Sequence, residues 1–108
     1  MAAVDLGSNS FRLLICQAFI TPSGMQLRTI DTLREPVRLA AGLTPAKILD
    51  DAAFERGLDA IRRFGERLRG FSPEQVRAVA TNTLRVARNA QKFVQQAQIA
   101  LEIGRAHV

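Results

Sequence analysis

The chain has 108 residues, 47% hydrophobic and 23% charged, the profile of a soluble globular protein, which sets aside disorder and fibrous repeats. Its formal charge is +5, and because Lys47 and Lys92 are the two lysines, arginine supplies nearly all of the 15 basic residues. That balance fits an anionic partner, and it fits a solvated basic helix face equally well. Cys16 is the one cysteine and His107 the one histidine, which excludes an internal disulfide, a Cys/His zinc site and histidine acid–base chemistry in the body of the chain.

In chain order, Ala2 to Leu6 and Phe11 to Phe19 are apolar runs flanking the turn cluster Gly7-Ser-Asn-Ser10, the pattern of a β-hairpin. Both faces of the second run are mostly apolar. That predicts a strand internal to a sheet and covered on both sides. Thr21-Pro-Ser-Gly24 is a second turn, with Pro22 pre-setting its φ and Gly24 able to take a positive one. The third run, Met25 to Leu33, is followed by Pro36, which limits the strand to an edge or an end. From Arg34 to Pro45 a loop is expected, mobile or facing a ligand, with Val37, Leu39 and Leu43 as anchors.

Asp50 or Asp51 can cap a helix whose apolar positions Phe54, Leu58, Ile61, Phe64 and Leu68 recur at helical spacing and which Gly70 ends. Ser72-Pro-Glu74 reads as a turn or one helical turn. A short strand over Val76 to Ala80 then leads into Thr81-Asn-Thr83, which can cap helical segments over Leu84 to Ala87 and Ala90 to Leu101. The order is β-β-β-α-β-α, an α/β layout with a mixed sheet.

Asp5-Leu-Gly-Ser-Asn-Ser10 is the most informative stretch. A tight turn between two strands presents consecutive amides that hold an anion; Gly7 lets the backbone approach, and Ser8 and Ser10 add hydroxyls. The same residues also make an ordinary hairpin turn. Asp5 and Arg12 tip the balance toward a ligand, because a carboxylate ending an apolar strand needs a cation or a metal, although the two can simply pair with each other. A second cluster, Thr81-Asn-Thr-Leu-Arg85 with Asn89, lies where a strand meets a helix, so Thr81, Thr83 and Arg85 can supplement an anion site there, or Thr81 or Asn82 can be no more than an N-cap and Arg85 a surface residue. Arg34, Arg38, Arg62, Arg63, Arg67 and Arg69 can be read as a polyanion track, but helix arginines beside Glu55 and Glu66 usually form a solvated face.

Ala3-Val-Asp-Leu-Gly-Ser-Asn-Ser-Phe-Arg-Leu-Leu-Ile15 resembles the first phosphate motif of the exopolyphosphatase/guanosine pentaphosphate phosphohydrolase (Ppx/GppA) family, within the actin-like (ribonuclease H-like) ATPase superfamily. Arg38-Leu-Ala-Ala-Gly-Leu43 resembles that family's loop after the third strand, and Ala80-Thr-Asn-Thr-Leu-Arg-Val-Ala-Arg-Asn89 its strand-to-helix segment. The resemblance implies part of an N-terminal actin-like lobe. Under it Asp5 helps organise Mg²⁺, Gly7, Ser8, Asn9 and Ser10 hold phosphate, and Arg12, Thr83 and Arg85 lie along the phosphate path. The implied reaction is hydrolysis of the terminal phosphoanhydride of inorganic polyphosphate, or alternatively of guanosine pentaphosphate, in a cytoplasmic, homodimeric parent enzyme. A module that binds phosphate compounds without hydrolysing them is the alternative of another class. Nucleic acid is not an expected partner, since Trp and Tyr are absent and no DNA- or RNA-binding motif is found. No stretch approaches the roughly 20 apolar residues that span a bilayer.

The family's catalytic glutamate and second Gly-rich phosphate motif have no match here, so no catalytic residue is expected within this chain. Glu102-Ile-Gly-Arg-Ala-His-Val108 resembles one translated frame of a common short-read sequencing adapter. Residues 1–101 are therefore expected to be an incomplete phosphatase lobe and residues 102–108 a non-native tail.

Overall fold

The fold is taken from a computed structural model that describes residues 1–80 and 82–105. Strands β1 (Ala2–Leu6), β2 (Ser10–Thr21), β3 (Gly24–Pro36) and β4 (Val76–Ala80) form one sheet in the order β3-β2-β1-β4. The first three pair as antiparallel neighbours, while β4 lies parallel to β1 with Asp5 opposite Val79. A parallel neighbour needs a long crossover, and helix α1 (Asp51–Arg67) supplies it. Beyond β4 the chain continues as α2 (Asn82–Val86) and α3 (Ala90–Arg105).

Helix α1 starts where the sequence places a cap: the Asp50 carboxylate accepts from the Ala53 amide at 2.8 Å, and Asp51 follows in the first turn, near the positive end of the helix dipole. It ends at Leu68, whose amide donates to the Phe64 and Gly65 carbonyls, shortly before Gly70 at φ +86. Its inner stripe, including Leu58, Ile61, Phe64 and Leu68, is buried against the sheet residues Val4, Leu6, Phe11 and Leu13 in a single apolar core. Phe93 of α3 joins that core from the other side. Its ring meets Phe54 edge-on at 5.2 Å and Phe11 at 6.2 Å, tying both helices to β2. The helices approach so closely that a Cβ on Gly57 would stand 2.7 Å from the Phe93 ring.

The segment after Pro36 is anchored as expected by Val37 and Leu39, both fully buried, and it also carries a 3₁₀ turn over Ala40–Gly42 and accepts Arg56 Nε of α1 at the Val37 carbonyl, at 2.8 Å. One expectation fails here. Strand β2 is internal, as expected, but within this chain only one of its faces is covered. Phe11, Leu13 and Ile15 face the helices, while Arg12 and Leu14 lie on an open face, with Leu14 38% exposed. Alternating apolar residues report that both faces of a strand can be buried; they do not say whether the same 108 residues bury them.

The β2–β3 hairpin is longer than the sheet it belongs to. Ile15 pairs with Asp31 and Cys16 with Thr29, so Ile30 is an extra residue in a bulge. Past the bulge Ile20, Met25 and Leu27 are 88, 72 and 58% exposed. None of the helices among the described residues is long and apolar enough to cross a membrane.

Candidate phosphate site

The turn joining β1 to β2 lies at the carboxyl end of β1, and two neighbouring segments grip it. The Asn9 carbonyl accepts from the amides of Val37, at 3.0 Å, and Arg38, at 2.8 Å, and the Ser8 carbonyl accepts from Ala40 at 3.1 Å. Holding the carbonyls on this side leaves the Gly7 and Asn9 amides with no acceptor among the described residues. Gly7 is required by close approach, since a Cβ there would lie 2.5 Å from the Ser10 carbonyl oxygen. The result is a rigid loop with unfilled donors, the condition for holding an oxyanion.

The second predicted cluster reaches the turn through one contact. The hydroxyls of Ser8 and Thr83 lie 2.7 Å apart, and Thr83 is 7% exposed, so α2 is fastened to the turn. With five residues α2 is too short to act through a helix dipole, and its link to the turn is the Ser8–Thr83 contact. Arg85 is exposed on α2 and is absent from the walls of the cavity described next. Thr81 lies outside the described residues. Asn89 serves the scaffold, because its side chain accepts from the Leu49 amide at 2.9 Å and donates to the Leu49 carbonyl at 3.1 Å, clamping the segment before α1.

On the open face of the sheet Asp5 and Arg12 stand opposite each other in the β1–β2 register, and Arg12 stands opposite Arg34 in the β2–β3 register. The three side chains form a row across three strands and line a cavity of about 420 Å³ with Leu14 and Thr32. The alternative Asp5–Arg12 pairing is not among the ion pairs of the described residues, which join Arg62 to Asp59, Arg63 to Glu35 and Arg67 to Asp31. Those pairs also take three members of the suggested arginine track. Hydrogen bonding to Glu35 is the leading reason that the Arg63 guanidinium holds its proton above the usual arginine range. Arg34 belongs to β3 and not to the loop expected from Arg34 onward, because the strand runs on to Pro36 itself. The period-two alternation, continued through Leu33, Arg34 and Glu35, is the signal that places it there.

No group of three or more His, Cys, Asp or Glu side chains gathers among the described residues, so these do not build a closed metal cage. Asp5 offers one exposed carboxylate next to the hydroxyl-bearing turn. That donor set suits Mg²⁺, which keeps several waters and binds through one or two carboxylates together with substrate phosphates.

The sequence profile of the Ppx/GppA phosphatase family matches residues 20–104, from the last two residues of β2 through most of α3. The chain belongs to that family. Its fold is that of the family's N-terminal actin-like domain. An Aquifex aeolicus Ppx/GppA phosphatase, the type II variant, superposes with a TM-score of 0.77 at 26% identity, covering 93% of this chain and 32% of that one. A second structure of the Aquifex aeolicus PPX-GPPA enzyme gives 0.77 at 29% identity, covering 95% of this chain and 32% of its own. An exopolyphosphatase from Cytophaga hutchinsonii gives 0.79 at 24% identity, over 94% of this chain and 31% of its own, a likeness of fold. The chain thus spans about a third of the length of these Ppx/GppA structures. Of the predicted tail, residues 102–105 continue α3, and Ala106, His107 and Val108 lie outside the described residues.

Proposed function

We propose that this chain supplies the first phosphate-binding half of an exopolyphosphatase, an enzyme that releases orthophosphate from the ends of inorganic polyphosphate. The observation that carries the reading is the braced Gly7–Ser10 turn, whose Gly7 and Asn9 amides are unfilled beside the Asp5–Arg12 row. In this Ppx/GppA chain the turn amides and the Ser8 and Ser10 hydroxyls receive phosphate oxygens, and Arg12 balances their charge. Asp5 would hold a hydrated Mg²⁺. When bound, that ion neutralises charge developing on the transferred phosphoryl group. The net charge of +5 favours a phosphate polymer.

Activating the attacking water falls to a group that no residue here matches. Glu102 lies on α3, in a context unlike the family's catalytic loop. The 108-residue chain is accordingly a binder without turnover. Titration calorimetry with orthophosphate, with and without Mg²⁺, tests this. Mg²⁺-enhanced binding is expected, with loss of affinity in Gly7→Ala, and no phosphate should be released from polyphosphate. Absence of binding would overturn the site, and sustained Mg²⁺-dependent release would overturn the assignment of no catalytic residue.

A further inference from the structure

We propose that Arg34 and Arg12 form a second phosphate subsite on the open face of the sheet, engaging the phosphate next to the one held by the turn. The inference rests on the phosphate-chain reading above and names a residue that reading does not use. Arg12 and Arg34 are direct cross-strand partners, both exposed and both lining the 420 Å³ cavity. Like charges placed directly opposite on neighbouring strands destabilise a sheet unless something of opposite sign lies between them.

Acids from β3 do not serve that purpose. Asp31 and Glu35 point to the helix face, where Arg67 binds Asp31 at 2.7 Å and Arg63 takes both oxygens of Glu35. Asp5, the remaining carboxylate of the row, stands one strand farther from Arg34 than Arg12 does and is in no ion pair among the described residues. Two guanidinium groups therefore face one carboxylate across an open cavity.

Arg34 is also tied to the turn. Its Nε donates to Ser10 Oγ at 3.2 Å, which orients the rest of the fork beside the turn that holds the first phosphate. A guanidinium held by one edge presents its other donors to an oxyanion as a preoriented pair. The subsite fits a linear phosphate chain whose second unit lies against β2 and β3, and a lone orthophosphate would leave it unused.

Calorimetric titration of the 108-residue chain with orthophosphate and with tripolyphosphate, both with Mg²⁺, tests the pairing. Wild type is expected to bind tripolyphosphate more tightly. Arg34→Gln should weaken tripolyphosphate roughly tenfold, the scale of one lost charge-assisted contact, and leave orthophosphate unchanged. Arg34→Lys should recover part of the loss, because it restores charge without the fork, and Arg67→Gln on the opposite face should alter neither ligand. Circular dichroism confirms that each variant folds. If Arg34→Gln spares tripolyphosphate, or weakens both ligands alike, the subsite is wrong. If wild type binds orthophosphate but gains nothing with tripolyphosphate, the subsite falls and the phosphate turn stands. If it binds neither, both readings fall.

Discussion

Asn89 and Gly7 show how single residues hold the site, Asn89 from the scaffold and Gly7 from within the turn itself. The Asn89 amide satisfies the amide and the carbonyl of Leu49, a residue 2% exposed, so truncation strands two backbone groups away from water. Asn89→Ala should cost about 2 kcal/mol, within the range for unsatisfied buried polar groups, measured as a shift in urea midpoint. In the sequence Asn89 reads only as a member of the second cluster, with no sign of its scaffold role. Its partner lies 40 residues away, a distance that spacing rules do not reach. Asp5 and Gly7, by contrast, are legible locally, since the reasons for a carboxylate and a glycine there lie within a few residues.

Among the elements, α1 and α3 depend on close approach. Gly57→Ala places a methyl 2.7 Å from the Phe93 ring and must push the helices apart or turn the ring. Overpacking of this kind costs about 1–3 kcal/mol, and the expected loss in Tm can be read by calorimetry. The 3₁₀ turn over Pro73–Gln75 adds a pH response. The Glu74 backbone amide and then the Ser72 hydroxyl hold the Glu74 carboxyl below its usual range. A lowered value means the contribution is present above the ordinary glutamate range and is lost as pH falls through it. Glu74 is exposed, so the effect is small: Glu74→Gln should be slightly less stable near neutrality and equal to wild type in acid, compared by urea midpoints at the two pH values. The Arg63–Glu35 pair runs the other way, since its raised arginine value leaves its contribution intact until strongly alkaline pH. Helix α1 is readable from sequence because its cap, stripe and terminating Gly70 agree with one another. The length of β3 is not, because Pro36 ends the strand beyond Arg34 instead of before it.

For the whole molecule, one helical layer covers one face of a four-stranded sheet, and the shortest principal extent is 20 Å. The uncovered face carries both the charged row of the site and, toward the hairpin tip, the apolar side chains of Ile20, Met25 and Leu27. Exposed apolar ribbon of this kind promotes association between copies. Ile20→Lys combined with Leu27→Lys should reduce the apparent mass in size-exclusion chromatography at high concentration while leaving phosphate affinity unchanged, because both residues lie beyond the bulge from Arg12 and Arg34.

By itself the sequence determined the order of elements, the mixed α/β sheet and the cap and stripe of α1, and it singled out the Asp5–Arg12 stretch as the candidate phosphate site. Each of those is read from patterns local in sequence, where periodicity and turn chemistry act. Tertiary structure alone decided that Arg56 fastens the Val37 carbonyl, that Asn89 clamps Leu49, and that one sheet face is uncovered within this chain. It also set Arg34 beside Arg12. Register between β2 and β3 made that last pairing, and register depends on a bulge and a turn whose combined effect is felt only when two strand positions more than twenty residues apart in sequence lie side by side.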